Sequence, residues 1–238
     1  MSKEQFHKMK NKRIDNKKII TIVALWAAFL LFTVFATTVD VKPIGPENSK
    51  VGFASINGAF HELTGFNIFW YKLTKALGIL EILTSVFFVC YGLMQVIKRK
   101  GISGVDKDLM ALYVFYAAVV FFYILFDKVI INYRPVIMDE GLEASYPSTH
   151  TLIAVCVLAT AIIQTGRRIT DTVMKRLLTI LFAVIMVITV IGRLISGVHW
   201  FTDILGGVLL SVALVYTYRV YITGITSIDS DNSGISLQ

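Results

Sequence analysis

The stretch from Arg193 to Asp203 reads Arg193-Leu-Ile-Ser-Gly-Val-His199-Trp-Phe-Thr-Asp203 and lies between two strongly apolar runs. In the whole 238-residue chain, hydrophobic residues make up 55% and charged residues only 16%, with a mean hydropathy of +0.69. A soluble protein carries about a quarter charged residues. Several runs of roughly 18 or more mostly apolar residues are each long enough to cross a bilayer. The composition therefore predicts a polytopic membrane protein and argues against a soluble globular domain.

Six apolar runs predict an all-α membrane protein, a bundle of about six transmembrane helices that forms a single domain at 19–224. The predicted spans cover residues 19–39, 69–97, 109–131, 149–164, 177–192 and 203–218. A basic segment at 1–18 precedes the bundle, and the polar tail at 225–238 is predicted to be disordered. The first run is longer than a signal-peptide core, and no clean cleavage site follows it, which favours an uncleaved span.

The loop after the first span contains a short amphipathic helix. Its apolar residues recur at spacings of three and four, which is typical of one helix face: Phe53, Ile56, Phe60 and Leu63. Such a helix either lies flat on the membrane surface or packs over the bundle. The sequence leaves both alternatives open.

The distribution of cations predicts the orientation of the chain. Sixteen of the 23 Lys and Arg lie in the amino-terminal segment, the 98–107 loop, the 167–176 loop and at Arg219. Six crossings place all of these on one side, which the positive-inside rule makes cytoplasmic, together with both termini. Because the net charge of +7 is confined to short segments between spans, we predict no nucleic-acid partner.

Four residues suited to binding an anion lie at span boundaries. Arg134 follows the third predicted span, His150 begins the fourth, Arg193 follows the fifth, and His199 precedes the sixth. Alternating span directions place all four at the outer membrane level. Helix axes about 8–10 Å apart bring such side chains within reach of a single anion. The pattern predicts a phosphate-handling catalytic site on the extracytoplasmic side.

Each part of this set has a chemical reason. Ser148 is a natural N-cap, so the free amides and the dipole of the fourth span face outward and can bind phosphate. Arg134 and Arg193 can each bind oxyanion oxygens in bidentate fashion, and Lys128 adds a point charge.

The reacting groups are two histidines and an aspartate. His199 and Asp203 are four residues apart and so share one helix face. The carboxylate can hold one imidazole nitrogen while the other carries the nucleophilic lone pair. His150 remains as the proton donor and acceptor.

Three charged residues of the second span fall outside this set. Lys72 and Lys75 lie near its start, and we expect them to reach the lipid headgroups. Glu81 lies deeper, where a carboxylate is a functional candidate. Pairing with a cation or hydrogen bonding to a neighbouring helix is the alternative, and the sequence leaves the role of Glu81 open.

Three motifs resemble the signature motifs of the type 2 phosphatidic acid phosphatase superfamily, which also includes vanadium-dependent haloperoxidases and bacterial acid phosphatases. They are Lys128…Arg134-Pro135, Pro147-Ser148-Thr149-His150 and Arg193-x5-His199-x3-Asp203. The stretch Val51-Gly-Phe-Ala-Ser-Ile-Asn57 is similar to the integral-membrane, lipid-phosphate branch. The chain departs from the family pattern at three points: five residues rather than six separate Lys128 from Arg134, Thr149 replaces a Gly, and Gly192 replaces a Ser.

The resemblance implies that His199 is a nucleophile that forms a phosphohistidine and that Asp203 orients it. It implies that His150 protonates the leaving group and later activates water. Phosphoryl oxygens would be bound by Lys128, Arg134, Ser148, Arg193 and the amide of Thr149. The resemblance implies no metal and no other cofactor, and the four histidines show no zinc-type ligand cluster.

The function implied by this resemblance is that of a lipid phosphatase in a cell membrane. Candidate substrates are undecaprenyl diphosphate, phosphatidylglycerol phosphate and phosphatidic acid. The lack of an Asn-x-Ser/Thr acceptor site fits a bacterial inner membrane. Two alternatives stay open: a phosphotransferase that uses the same site, and a non-enzymatic anion or lipid transporter. The oligomeric state is not predicted.

Overall fold

The computed structural model describes the backbone of residues 3–138 and 141–235, and the side chains of residues 16–138 and 141–224. In this part of the chain the structure has seven α-helices: α1 (Lys3–Thr38), α2 (Ala54–Thr64), α3 (Ile68–Lys98), α4 (Lys107–Lys128), α5 (Thr149–Arg168), α6 (Thr172–Ile195) and α7 (Phe201–Ile235). All of these except α2 contain a segment long and apolar enough to cross a membrane. The predicted all-α bundle of six spans is confirmed.

The helices at the two ends of the chain extend beyond the predicted spans. The first helix begins at Lys3 and so includes most of the basic segment 1–18. The last helix continues to Ile235, through most of the tail at 225–238 that was expected to be disordered. No proline interrupts either segment, so the helical hydrogen bonds can continue beyond the apolar span. Residues 1, 2 and 236–238 lie outside the described residues.

The helix α5 lies at the centre of the bundle, against α3, α4, α6 and α7. Slightly more than half of the spanning segments of α5 and α7 is buried, but only 11% of that of α1. The peripheral helix α1 packs against α7, where Trp26 Nε1 donates a hydrogen bond to Thr217 Oγ1 (3.3 Å). We call the end where α3, α5 and α7 begin the site end, and the other the opposite end.

The amphipathic helix α2 packs over the start of α7. The ring of Phe60 stacks on Phe201 with centroids 4.3 Å apart. Asn57 is fully buried; its Nδ2 donates to Thr202 Oγ1 (2.9 Å) and its Oδ1 accepts from the Thr202 amide (3.1 Å). Ile56 and Leu63 stay exposed. Of the two alternatives, the structure shows packing over the bundle, by only one side of the helix.

The loop between α4 and α5 folds into a short hairpin that carries site residues. Antiparallel bridges join Tyr133 to Ala144 and Met138 to Gly141. The Trp200 indole donates to the carbonyl oxygen of Tyr133 (2.7 Å), which fixes the hairpin against the α6–α7 loop.

The beginnings of α5 and α7 are in close contact. The amide of Ser148 donates to the backbone carbonyl of Asp203 (2.9 Å). At Gly207 the backbones approach so closely that an added Cβ would lie 3.0 Å from the Ser148 carbonyl oxygen. A side chain at this position would push the two helix starts apart, so the glycine permits the approach that brings the second and third motifs together.

Candidate active site

His199 lies in the short loop between α6 and α7, and only 4% of its surface is exposed. Its Nδ1 is 3.1 Å from Ser145 Oγ, and Ser145 Oγ is 2.5 Å from Asp203 Oδ2. Because the carboxylate only accepts, the serine hydroxyl donates to it and therefore accepts from Nδ1–H. On the other side of the ring, an Arg193 nitrogen lies 3.3 Å from Nε2. This pattern assigns the proton to Nδ1 and the lone pair to Nε2.

The Asp203 carboxylate is fully buried at the first turn of α7. It accepts hydrogen bonds from Ser145 Oγ, from Asn132 Nδ2 (3.0 Å) and from the Trp200 amide (2.9 Å). Its nearest oxygen is 3.8 Å from His199 Nδ1, beyond hydrogen-bond reach. The sequence predicted a direct contact between the Asp203 carboxylate and the His199 imidazole. In the structure, Ser145 connects the two side chains.

Arg193, at the last turn of α6, has a fully buried side chain. Besides His199, its guanidinium contacts Thr74 Oγ1 (3.4 Å) and the ring of Tyr71, whose centroid is 5.5 Å from Cζ. None of these three partners carries a full negative charge. A buried guanidinium among uncharged partners is well suited to a bound anion.

Arg134 extends from the hairpin, and 12% of its side chain is exposed. One guanidinium nitrogen pairs with Glu143 Oε2 at 2.9 Å, across the two strands of the hairpin. Its Nε is buried without a hydrogen-bond partner. Glu143 holds one edge of the guanidinium, which leaves other donors for an anion.

His150 lies on the first turn of α5. Its ring packs against α3 at Gly78, where a Cβ would be 3.6 Å from the imidazole Cδ2. Its Nδ1 is buried without a hydrogen-bond partner. The charges that act on His150 are those of Arg193, Arg134 and Lys75, and His150 in turn acts on His199. The structure thus places both histidines in one electrostatic environment.

The surroundings of His199 keep it neutral. Burial lowers the pKa of His199 well below its usual value of 6.5, and the cations Arg193 and Arg134 lower it further. A neutral imidazole with Nδ1 protonated has its lone pair on Nε2 at neutral pH. This is the state that a nucleophile requires.

The structure does not bring every predicted residue to the pocket. The Lys128 side chain is 77% exposed at the end of α4 and pairs with the neighbouring Asp127 (3.0 Å). Ser148 caps α5 as predicted, but its Oγ accepts from the amide and the hydroxyl of Thr151 (3.4 and 3.1 Å). Thr149 follows as the first residue of α5.

The helix α3 also contributes residues to the site, which the sequence motifs did not indicate. Tyr71, Thr74 and Gly78 recur at spacings of three and four and contact Arg193 or His150. Glu81, on the same face, is fully buried and accepts a hydrogen bond from Thr189 of α6 (2.9 Å). Hydrogen bonding between helices is one of the alternatives left open for this residue. The spacing signal was present, but only packing shows what this face contacts.

The glycine at position 192 is explained by the contact between α3 and α6. An added Cβ would lie 2.7 Å from the Thr74 side chain and 2.9 Å from the Trp70 ring. The absence of a side chain lets α6 approach α3 closely enough for Thr74 to reach Arg193. The glycine that departs from the family pattern therefore serves the α3–α6 contact.

Comparison with known proteins finds a family that matches part of the chain. Residues 127–226, which include all three motifs, match the family model described as PAP2 superfamily. No curated protein matched the chain.

One solved structure is similar over most of the chain. It is described as the crystal structure of the first transmembrane PAP2 type phosphatidylglycerolphosphate phosphatase from Bacillus subtilis. The TM-score is 0.63 at 20% sequence identity, over 86% of this chain and 96% of the other. At this identity the likeness establishes a shared fold.

Proposed function

We propose that the chain, whose residues 127–226 match the PAP2 superfamily model and whose fold is similar to that of a PAP2 type phosphatase, is a membrane lipid phosphatase that acts through a phosphohistidine. This proposal rests on the groups that surround His199 Nε2. This atom holds a lone pair, next to a fully buried arginine whose partners are uncharged. Three basic side chains of the pocket also have a buried nitrogen without a partner: Arg134 Nε, Arg193 Nε and His150 Nδ1.

The proposed reaction has two steps. In the first, His150 takes up a proton when the anionic headgroup binds, the Nε2 lone pair attacks phosphorus, the bond from phosphorus to the lipid oxygen breaks, and His150 gives its proton to the leaving oxygen. Arg193 and Arg134 stabilise the charge on the equatorial oxygens. In the second, His150 takes a proton from water, the water oxygen attacks phosphorus, and the P–N bond breaks. Inorganic phosphate leaves, and the nitrogen lone pair returns to His199.

The proposed substrates are lipids with a terminal phosphate: undecaprenyl diphosphate, phosphatidylglycerol phosphate or phosphatidic acid. The similarity to a phosphatidylglycerolphosphate phosphatase supports the second of these. A site at the ends of apolar spans suits a substrate whose headgroup lies at the membrane surface and whose tail stays in the bilayer. We assign the site end to the extracytoplasmic side, because cations concentrate in the loops of the opposite end.

A phosphate-release assay tests the proposal. Purified protein in detergent with EDTA is given each of the three lipids, and we expect release from at least one, with inhibition by vanadate. Release that depended on added Mg²⁺, or no release from any of them, would contradict the proposed chemistry. A labelled lipid or sugar acceptor distinguishes a phosphotransferase, which would label the acceptor instead of releasing phosphate.

The side of the membrane is tested separately. Sealed right-side-out vesicles receive a water-soluble short-chain phosphate ester that does not cross the bilayer. We expect hydrolysis without permeabilisation. Activity that appears only after detergent is added would place the site on the cytoplasmic side.

A further inference from the structure

One cation of α3 adjoins the pocket. Lys75 Nζ lies 5.9 Å from the centroid of the Tyr71 ring, and the Arg193 guanidinium carbon lies 5.5 Å from the same centroid. The ring of Tyr71 thus adjoins both cations. Lys75 was expected only to reach the lipid headgroups, whereas the structure places it beside this ring.

The depth of Lys75 differs from that of the two arginines. Arg193 is fully buried and 12% of the Arg134 side chain is exposed, whereas Lys75 is exposed. Gly78, one helical turn further along α3, contacts the ring of His150. Lys75 therefore lies at the rim, one turn nearer the helix start than the imidazole. Its positive charge acts on His150 together with those of Arg193 and Arg134.

Lys128 is in a different situation. It is 77% exposed, and the carboxylate of Asp127, 3.0 Å away, offsets its charge. The cations that act on the two histidines are Arg193, Arg134 and, for His150, Lys75. The third cation of the pocket thus comes from α3, outside the region that matches the family model.

We propose that Lys75 binds the second phosphate of a two-phosphate lipid headgroup and so makes the enzyme prefer such lipids to monophosphate lipids. This inference rests on the proposed function. The arginines and histidines inside the pocket surround the phosphoryl group that is transferred. A rim ammonium beside Tyr71 is displaced from that group and meets the phosphate that stays with the lipid. A lipid with a single phosphate leaves Lys75 without this contact.

A matched pair of substrates tests the preference. The probes are a prenyl diphosphate and the prenyl monophosphate with the same chain, each supplied to the full-length protein in detergent. In Lys75→Gln we expect kcat/KM for the diphosphate to fall about tenfold, as for the loss of one charge-assisted hydrogen bond. For the monophosphate we expect a change of less than about twofold. Lys75→Arg should restore most of the preference, and Lys72→Gln, an exposed lysine on the same helix, should leave it unchanged.

A binding measurement separates this inference from the proposed function. Calorimetry with inorganic pyrophosphate and inorganic phosphate should show a preference for pyrophosphate that falls about tenfold in Lys75→Gln. If the wild-type protein hydrolyses neither lipid but keeps this Lys75-dependent preference, the proposed function fails and the inference stands. If the wild-type protein hydrolyses lipids and Lys75→Gln loses activity equally on both, or not at all, the inference is overturned. A selective loss in Lys128→Gln instead would also overturn it.

Discussion

Each end of the helix bundle carries a cluster of charged side chains, but the clusters are paired differently. At the opposite end, Asp108 at the start of α4 faces the arginines that end α5. Its Oδ2 accepts from Arg167 Nε (2.8 Å) and Arg168 Nη1 (3.0 Å), and its Oδ1 accepts from Arg168 Nη2 (3.1 Å). Nearby, Asp106 pairs with Arg99 (2.7 Å) and accepts from Gln95 (2.8 Å).

At the site end, the arginines have fewer carboxylate partners than those at the opposite end. Arg193 contacts a hydroxyl, an imidazole and an aromatic ring. Arg134 has one carboxylate partner, and the Asp203 carboxylate is occupied by a serine, an amide side chain and a backbone amide. Arg193 therefore has no carboxylate in direct contact, and Arg134 has one.

This difference in pairing suits the cluster at the opposite end to a structural role and the cluster at the site end to anion binding. Where each carboxylate faces arginines, the opposite charges pair and hold helix ends together, although Arg168 Nε has no hydrogen-bond partner. Where buried cations face uncharged groups, the site keeps a desolvation cost that an incoming anion offsets. Since this cost exists before any ligand binds, an anion would meet donors that are already in place.

The largest expected effect is at the nucleophile. His199→Ala removes the atom that would form the covalent intermediate, and we expect phosphate release to fall on the order of 10³-fold or more. The measurement is kcat/KM on the best lipid of the panel, with His7→Ala in the amino-terminal segment as the control. Loss of less than about tenfold would mean that phosphate release does not pass through this imidazole.

The structural cluster should respond in the opposite way. Asp108→Asn removes the negative charge that faces Arg167 and Arg168, and leaves partly buried cations without it. We expect unfolding in detergent to be easier by about 2 kcal/mol, with kcat of the folded protein within about twofold of wild type. Thermal unfolding and activity are measured on the same samples. A large fall in kcat at unchanged stability would contradict the structural role.

The pH dependence of stability tests the neutral state of His199. Its pKa is lowered in the folded protein, so below about pH 6.5 the unfolded chain binds a proton that the folded chain does not. Stability is therefore present above this pH and is lost as the pH falls, by up to about 1.4 kcal/mol per pH unit for this one group. Compared with His199→Gln, the wild-type protein should lose stability faster between pH 6.5 and 5. Parallel curves would show that His199 titrates normally.

The smallest effect concerns the contact between α3 and Arg193. Thr74→Val keeps the side-chain shape but removes the oxygen that lies 3.4 Å from the guanidinium. At this length the hydrogen bond is weak, and we expect kcat/KM to fall by about two- to fivefold. Thr84→Val, an exposed threonine further along α3, is the matched control. Equal effects of the two substitutions would show that Thr74 makes no specific contribution to activity.

Much of the fold follows from local sequence. The six spans lie close to their predicted positions, because long apolar runs leave a chain in a membrane little choice but to form helices. The N-cap at Ser148 also follows from residue type and position. The helices α1 and α7 extend beyond the predicted spans, since helical hydrogen bonds continue into polar residues when no proline interrupts them.

The site was only partly predictable. Alternating span directions indicated that Arg134, His150, Arg193 and His199 share one end of the bundle. The spacing of His199 and Asp203 also suggested that they touch, yet Ser145 of the hairpin lies between them. A hairpin held by two isolated bridges has no sequence period that would reveal which of its residues turns inward.

The sequence by itself determined the number of spans, the end at which the motifs meet and the resemblance of the motif region to one family. These depend on hydrophobic runs, on the direction of each crossing and on short motifs, all of which are local properties. Only the tertiary structure decided that Ser145 links His199 to Asp203 and that Tyr71 and Thr74 of α3 contact Arg193. It also decided that Lys75 rather than Lys128 lies beside the site. Such contacts join residues far apart in the chain, and helix packing, which no single segment encodes, sets their distances.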